Sequence, residues 1–404
     1  MSKLVTPLKE EDDYFFQKSV MTGTHLMMGN SAMVEGCLAA GCRFFAGYPI
    51  TPQNEVPERM SQRLPEVGGV YMQMEDEIGS ISAVTGACLG GLKAMTSTSG
   101  PGFSLMQETM SLAALEELPI VVGEVQRVGP GSGIVSLPTH GDVTQFKRGG
   151  NGDYEIITVA PNSAQELFDL SIEAFNLAEI WRNPVIIMSD AWLGHIHEKV
   201  VIPPADEIKK RIVPRKRYAP DEKLKLCYTK ANADFTEFDI PPLPLMGTTQ
   251  FPMWMPTITH TKTAFGTEEI NVAEDCIMTL NYKITKNEAK IAKTEEFFLD
   301  DCDILVIAYG LTSRTALEAV NMARAEGIKT GLLRLITVWP TAVTAIRKAS
   351  QAVKTIVMPE MNLGQIAGEV ERISLKEGVP VHLLSWTAHL HEPEEILSKI
   401  KEVA

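Results

Sequence analysis

No window of the chain approaches the ~18 consecutive apolar residues of a membrane-spanning helix, which excludes a membrane-inserted reading. The N-terminal stretch MSKLVTPLKEEDDYFF lacks the basic start and continuous apolar core of a secretory signal, so a soluble, cytoplasmic protein is expected. The six cysteines, Cys37, Cys42, Cys88, Cys227, Cys276 and Cys302, are scattered, and no C-x-x-C pair occurs. Iron-sulfur or zinc ligation within this chain is therefore disfavoured, and free, mostly buried thiols are expected. Positive charge is also short, with a net charge of -14. Without a zinc-finger or arginine-rich signature, no nucleic-acid partner is expected. A G-x-x-x-x-G-K-S/T phosphate loop is absent. GPGSG follows Arg127 in a long loop instead of opening a helix, as a dinucleotide fingerprint requires. There is no convincing internal repeat and no low-complexity segment.

What is present is ordinary globular sequence: 404 residues, 45% hydrophobic, enough for two or three packed domains. The first half alternates β-rich runs with longer helical stretches, the rhythm of an α/β fold. RFFAG, VYMQME, KAMTSTS, PIVVGEVQ, EIITVA and PVIIMSD read as strands. NEVPERMSQRL, EIGSISAVTGACLGGL, SLMQETMSLAALEEL and SAQELFDLSIEAFNLAEI read as helices, and GPGF as a loop. From about residue 198 to 270 the chain is proline-rich and irregular, with the basic cluster KKRIVPRKR and the apolar knot FPMWMP; a boundary or a partner-covering arm is expected. After a helix expected around residues 272 to 297 the α/β rhythm resumes, from DILVIAYG to a last helix. The expected units are therefore 1–200, a connecting segment 201–271, and 272–404.

Ligands of doubly wound sheets sit beyond the carboxyl ends of the strands. Four loops occupy such positions: GYPITP, MEDEIG, TSGPGF and QRVGPGSG. Proline fixes φ and glycine permits close backbone approach, so GYPITP can hold backbone and the Thr51 hydroxyl against a ligand; equally, Pro49 and Pro52 can simply end a strand and start a helix. Glu77, like Glu75 and Asp76, stands where a helix N-terminus favours a carboxylate, with or without catalysis. Arg127 ends an apolar strand, placed either to present its guanidinium fork to a carboxylate or to be solvated. His140 and Asp142 fit an acid-base pair, or a turn stabilised by Asp142.

GYPITP, YMQMEDEIGSISAVTGA, TSTSGPGFSLMQE, ELPIVVGEVQR, LLRLITVWP and VMPEMNLGQIAGEV, in this order, resemble the alpha subunit of 2-oxoacid:ferredoxin oxidoreductases, above all the 2-oxoglutarate type. The resemblance runs from about residue 23 to the C-terminus and is weakest between 205 and 270. It implies a thiamine-diphosphate-binding, pyrimidine-type doubly wound domain plus a transketolase C-terminal-like α/β domain. It further implies oxidative decarboxylation of a 2-oxo acid with CoA, giving acyl-CoA and CO2, with electrons leaving through [4Fe-4S] clusters to ferredoxin. A beta subunit would carry the diphosphate and Mg2+ site, with gamma and ferredoxin-like subunits completing the complex. This chain has no GDG motif followed by a distant Asn, and ligates no metal in this reading.

By the same resemblance, Pro49, Ile50, Glu77 and Gly100 face the cofactor, and Thr51 and Arg127 bind the substrate carboxylate. Glu77 would hydrogen-bond the aminopyrimidine ring and promote ionisation of the cofactor. Where 2-oxoglutarate enzymes typically continue with a GGPSTG loop and a lysine, this chain has VGPGSGIVSLPTHGDV, with Val128 and Gly131 and no Lys or Arg in IVSLPTH. Pyruvate, a branched 2-oxo acid and an aromatic one such as phenylglyoxylate therefore stay open beside 2-oxoglutarate. A noncatalytic assembly subunit is the reading from another class. Glu360 and Asn362 of PEMNLGQ face a partner subunit or CoA, or form a turn with Asn362 as cap. KKRIVPRKR meets CoA phosphates or an acidic subunit, or is a solvated arm.

Overall fold

The computed structural model describes residues 13–218, 226–246 and 256–404. The readings of residues 1–12 and of FPMWMP, apart from Pro256, lie outside them. After α1 (Asp13–Ser19), β1 (Gly23–Met28) enters α2 (Gly29–Ala39). There follow β2 (Phe44–Gly47), α3 (Glu55–Glu66), β3 (Val70–Gln73), α4 (Glu77–Leu89), β4 (Ala94–Thr98), α5 (Gly100–Leu115) and β5 (Val121–Gln126). Beyond a long loop come α6 (Val143–Arg148), β6 (Ile157–Val159), α7 (Ala164–Trp181), β7 (Val185–Asp190), α8 (Ala191–His195) and β8 (His197–Ile202).

The irregular segment contains α9 (Ala205–Arg211) and a two-stranded ladder of β9 (Lys230–Ala231) with β10 (Phe238–Asp239). Next come α10 (Ile270–Thr285), α11 (Glu288–Ile291), β11 (Thr294–Phe297), β12 (Ile304–Tyr309), α12 (Thr312–Ala325), β13 (Thr330–Leu335) and β14 (Thr337–Trp339). The chain closes with α13 (Val343–Ser350), β15 (Thr355–Glu360), α14 (Ala367–Ser374), β16 (Val381–Ser385) and α15 (Pro393–Val403).

Two mainly parallel sheets result, as the alternating pattern requires. The larger has the order β14-β6-β7-β5-β4-β2-β3, the smaller β11-β13-β12-β15-β16. Every residue of β4, β5, β6 and β7 is buried, which is why these strands are apolar runs without alternation. On one face of the larger sheet, α2 and α7 enclose Met33, Leu38, Phe168 and Phe175. On the other, one continuous cluster joins Phe103, Val122 and Ile186 to Leu305 and Ile356 of the smaller sheet, with Trp339 among them. The larger sheet takes its edge strand β14 from the chain beyond β13, paired antiparallel to β6.

Several expectations need correction. GPGF is not a loop but the first turn of α5, where Pro101 costs no hydrogen bond because the N–H it lacks would be an orphan. The helix expected over 272 to 297 is α10 and α11 followed by β11, an edge strand antiparallel to β13. The basic cluster is not a solvated arm throughout: Arg215 is buried, pairs with Glu179 at 2.7 Å and donates to the carbonyls of Cys88 and Leu92. All six cysteines are buried and unpaired with one another. Among the described residues no helix is long and apolar enough to cross a membrane.

Candidate active site

The GYPITP loop leaves the carboxyl end of β2 and is anchored by its carbonyls. Gln53 Nε2 donates to Tyr48 O at 3.1 Å, Asn30 Nδ2 to Pro52 O at 2.9 Å, and Arg127 Nη1 to Thr51 O at 2.7 Å. Ser97 Oγ at the end of β4 holds Gln53 Oε1 at 2.5 Å. The loop is thus stiffened by buried side chains of neighbouring elements as well as by its prolines. Pro49 is exposed, Ile50 and Thr51 half-buried, and the Thr51 hydroxyl accepts a 3.3 Å bond from Asn54.

Of the three acids in MEDEIG, only Glu77 is buried, at 4% exposure. Asp76 is the N-cap of α4 and accepts from Gly79 N at 2.8 Å, so the capping role falls to it and leaves Glu77 free for another. The Glu77 carboxyl packs on the first turn of α5. A Cβ on Gly102 would lie 2.3 Å from Glu77 Oε1 and 2.2 Å from Thr98 Oγ1, so only glycine fits. Among the described residues its hydrogen bond is to its own backbone amide. Burial raises its pKa, with Asp76 adding and the amide and Arg127 opposing.

Gly100, at φ +30°, opens α5 and donates its amide to Glu124 Oε1 at 2.8 Å. Around it a charge cluster forms: a Cβ there would be 3.7 Å from Asp142 Oδ2 and 4.0 Å from Arg127 Cγ. Glu124 is fully buried, and burial and then Asp142 push its carboxyl well above the usual range. Burial likewise pushes Asp142 up to about 6, against the pull of Arg127. Arg127 is 6% exposed, so its guanidinium charge acts in a low-dielectric setting.

His140 does not pair with Asp142. Its Nε2 lies 3.5 Å from Asp190 Oδ2 at the end of β7, and its ring stacks on Tyr309. Asp142 instead donates its amide to Gln126 Oε1 at 3.0 Å and precedes α6. PEMNLGQ turns inward: Asn362 Oδ1 accepts from Gly364 N and Gln365 N, both at 2.8 Å, as the turn reading has it. Glu360 is buried and accepts from the Ile366 and Ala367 amides that begin α14.

Asn30, Gln53, Glu124 and Asp190 were not legible as site residues. A single amide side chain in a loop or helix has no spacing signal, but an acid inside the apolar runs VVGEVQ and VIIMSD is one, because an ionised carboxylate is not buried without purpose. A separate cleft of about 430 Å³, lined in part by His25, Glu55, Arg59 and His197, contains none of the six predicted residues.

Residues 35–272 match the family described as "Pyruvate flavodoxin/ferredoxin oxidoreductase, thiamine diP-bdg", and residues 302–390 "Pyruvate:ferredoxin oxidoreductase core domain II". The "2-oxoglutarate synthase subunit KorA" of Methanothermobacter marburgensis is 42% identical over 94% of this chain and 99% of its own length. The chain belongs to the 2-oxoacid:ferredoxin oxidoreductase family, as its alpha-type subunit. Among other family members, the "Ketoisovalerate oxidoreductase subunit VorB" of the same organism is 36% identical, over 94% of this chain and 98% of that one. A solved 2-oxoglutarate:ferredoxin oxidoreductase from Magnetococcus marinus, with 2-oxoglutarate, coenzyme A and succinyl-CoA bound, superposes with a TM-score of 0.85 at 28% identity. It covers 94% of this chain, which spans 65% of that chain's length.

The site's chemistry fits a thiamine-diphosphate-binding family. Thr98 Oγ1, Ser99 Oγ, Arg127 Nε, Glu124 Oε2 and Asp142 Oδ2 are buried without hydrogen-bond partners among the described residues. A polar ligand laid across the ends of β2, β4 and β5 would satisfy groups that are costly to leave unmet. Among the described residues no cluster of three or more His, Cys, Asp or Glu could hold a metal ion.

Proposed function

We propose that this chain supplies the pyrimidine side of a thiamine diphosphate site in a 2-oxoglutarate:ferredoxin oxidoreductase complex. The observation that carries this is the placing of Thr51, Glu77 and Arg127 beyond the carboxyl ends of β2, β3 and β5 of one sheet, with Arg127 Nη1 reaching across β4 to bond Thr51 O. Thiamine diphosphate, when bound, supplies the nucleophilic carbon that attacks a 2-oxo acid and the electron sink for loss of CO2. Glu77, buried and without another partner, holds a proton for the ring nitrogen of the aminopyrimidine. Gly100 and the Pro49–Ile50 backbone shape the wall beside that ring. Arg127 and the Thr51 hydroxyl grip the substrate's 1-carboxylate, the charged contact contributing ~1.5–3 kcal/mol in a site shielded from water.

A beta subunit would complete the site with the diphosphate and Mg2+ groups, and clusters on partner subunits would supply the route for electrons to ferredoxin, with CoA as acyl acceptor. The relatives named for 2-oxoglutarate support that substrate. Its distal carboxylate needs a cation, yet the 128–138 loop has none and Lys147 is paired with Glu155 at 3.0 Å. That cation comes from a partner subunit. A branched 2-oxo acid is the second reading, favoured by the uncharged loop and by the ketoisovalerate relative.

The test is dye reduction by the assembled complex with CoA and a panel of 2-oxoglutarate, pyruvate, 2-oxoisovalerate, indolepyruvate and phenylglyoxylate. Fastest turnover of 2-oxoglutarate is expected, and preference for a branched or aromatic acid would replace it. Glu77→Gln should lower turnover ~100- to 10,000-fold in a complex that still assembles. Wild-type rates in that variant would identify a noncatalytic assembly subunit.

A further inference from the structure

The turn after β15 reaches across to the segment that follows the Arg127 loop, and the bonds between them are consecutive. Met361 O accepts from His140 N and from Thr139 Oγ1, each at 3.0 Å. Asn362 Nδ2 donates to His140 O at 2.9 Å. Gln365 Nε2 donates to Gly141 O, and Gln365 Oε1 accepts from Thr144 N at 2.7 Å. Thus residues 139–141, which belong to no strand or helix, and the first turn of α6 at Thr144 are held by a turn more than two hundred positions away in sequence.

The turn itself is rigid. Asn362 Nδ2 also donates to Tyr309 OH at 3.0 Å and Glu360 Oε1 at 3.2 Å, while its Oδ1 takes the Gly364 and Gln365 amides. Ser385 Oγ holds Asn362 O at 2.7 Å. With three acceptors around its two N–H hydrogens the Asn362 amide shares one bond, and the network as a whole fixes the turn in one geometry.

What the turn holds leads to the charge cluster. Residues 128–138 leave from Arg127 and return at Thr139, and their middle, 129–136, is exposed. Across the base of this loop Ile134 N donates to Val128 O at 2.9 Å and Val128 N to Leu137 O at 3.3 Å, so the loop holds its own shape and moves as a unit with its two ends. Its position is therefore set by Arg127 at one end and by the clamped 139–142 stretch at the other. That stretch also sets Asp142, whose amide is tied to Gln126 and whose carboxyl lies by Gly100 with Arg127.

We propose that Gln365 and Asn362 are positioning residues that hold the 128–142 segment in register with Arg127, and so set affinity and selectivity for the 2-oxo acid. This rests on the reading of Arg127 as the substrate-carboxylate site. Neither residue touches the reacting atoms. They act by fixing where the loop that meets the substrate's side chain begins its return, in the way supporting shells hold a site to within a fraction of an ångström.

Gln365→Ala is the informative variant, because Asn362 keeps the turn intact. In the assembled complex, KM for the best 2-oxo acid should rise roughly tenfold while kcat changes less than about threefold, and the kcat/KM ratio between the best and second substrates should narrow. Unchanged KM and ratio would overturn the proposal, as would an equal loss of rate on every substrate. Hydrogen exchange of this chain in the same complex supplies a readout without turnover. The 139–144 amides should exchange faster in Gln365→Ala, with Ile304–Tyr309 unaffected. Unchanged exchange at 139–144 overturns the clamp even in a complex that turns over no 2-oxo acid, an outcome that in the wild type would sink the enzymatic reading instead. Asn362→Asp, which keeps the Oδ1 acceptor but removes the donor to His140 O, should reproduce both effects.

Discussion

Arg127 is drawn on from two sides. Its Nη1 serves Thr51 O, its Nε lacks a partner among the described residues, and Asp142 lies close enough to have its pKa pulled by it. Burial pushes Asp142 up to about 6, so below that pH it is mostly protonated and leaves Arg127 to an incoming carboxylate. Above it, Asp142 is ionised and competes for the same guanidinium. The sign is therefore a KM for the 2-oxo acid that is lower below pH 6 and rises above it. Asp142→Asn removes the competitor: KM should stay low from pH 6 to pH 8, below the wild-type value at the upper end by roughly tenfold, the scale of one charge-assisted contact. Steady-state kinetics across that range checks it, and a variant KM that follows the wild-type curve would remove Asp142 from the site.

Between elements, the clearest electrostatic joint ties the turn after α5 to α10. Lys283 Nζ lies 2.6 Å from Glu117 Oε1 with both side chains buried, and Glu117 Oε2 accepts from Thr229 N at 2.7 Å in the connecting segment. Burial alone would raise Glu117, but the Lys283 ammonium, Arg182 and the bonds from Lys283 and Thr229 outweigh it and hold the carboxyl down to about 2. The folded value lies below the ordinary 4.5. The pair's contribution is therefore complete above about pH 4.5 and is lost as pH falls toward 2. Glu117→Gln leaves a buried ammonium without its counter-charge and should cost ~3–5 kcal/mol at neutral pH. Urea unfolding should show that loss at pH 7 and a smaller gap between variant and wild type near pH 3.

The same joint shows where the sequence was silent. KKRIVPRKR and the described residues beyond it looked irregular because their order comes from single long-range contacts, the buried Arg215–Glu179 pair with α7 and the bonds of Tyr228 and Thr229 to Glu116 and Glu117 after α5, which leave no local period. Strands β4, β5 and β7 were legible because burial on both faces writes them as apolar runs. The antiparallel β1–β8 pair was missed, its outer face carrying Leu26 at 78% exposure, so that apolar residues fall on both faces and the alternation is blurred. The start of α5 was misplaced because glycine and proline usually mark loops, whereas here Pro101 suits a first turn and Gly102 makes room for Glu77. Thr51, Glu77 and Arg127 were proposed as site residues through family strings. The partners that hold or surround them, Asn30, Gln53 and Glu124, depend on which strands become neighbours.

At the scale of the molecule, the two sheets cannot be treated as independent folding units. One hydrophobic cluster contains residues of both, and β14 completes the larger sheet from beyond β13. Trp339, at the end of β14, is 2% exposed and donates Nε1 to Val143 O at 2.7 Å, which fastens the first turn of α6. Lys147 of α6 lies over its ring, 5.1 Å from the centroid. Trp339→Ala removes a large buried side chain together with its bond to Val143 O, a loss of ~3–5 kcal/mol. Because the cluster is shared, calorimetry of the wild-type chain should give one cooperative transition. Trp339→Ala should lower that single transition, whereas two separate transitions, with only the one containing the smaller sheet unshifted, would show that the sheets unfold independently. If they melt together, α6 and the 139–142 stretch that precedes it are only as stable as the packing between the sheets. Loosening that packing at Trp339 should then weaken substrate binding before either sheet unfolds, seen as a KM that climbs with temperature faster in the variant than in the wild type.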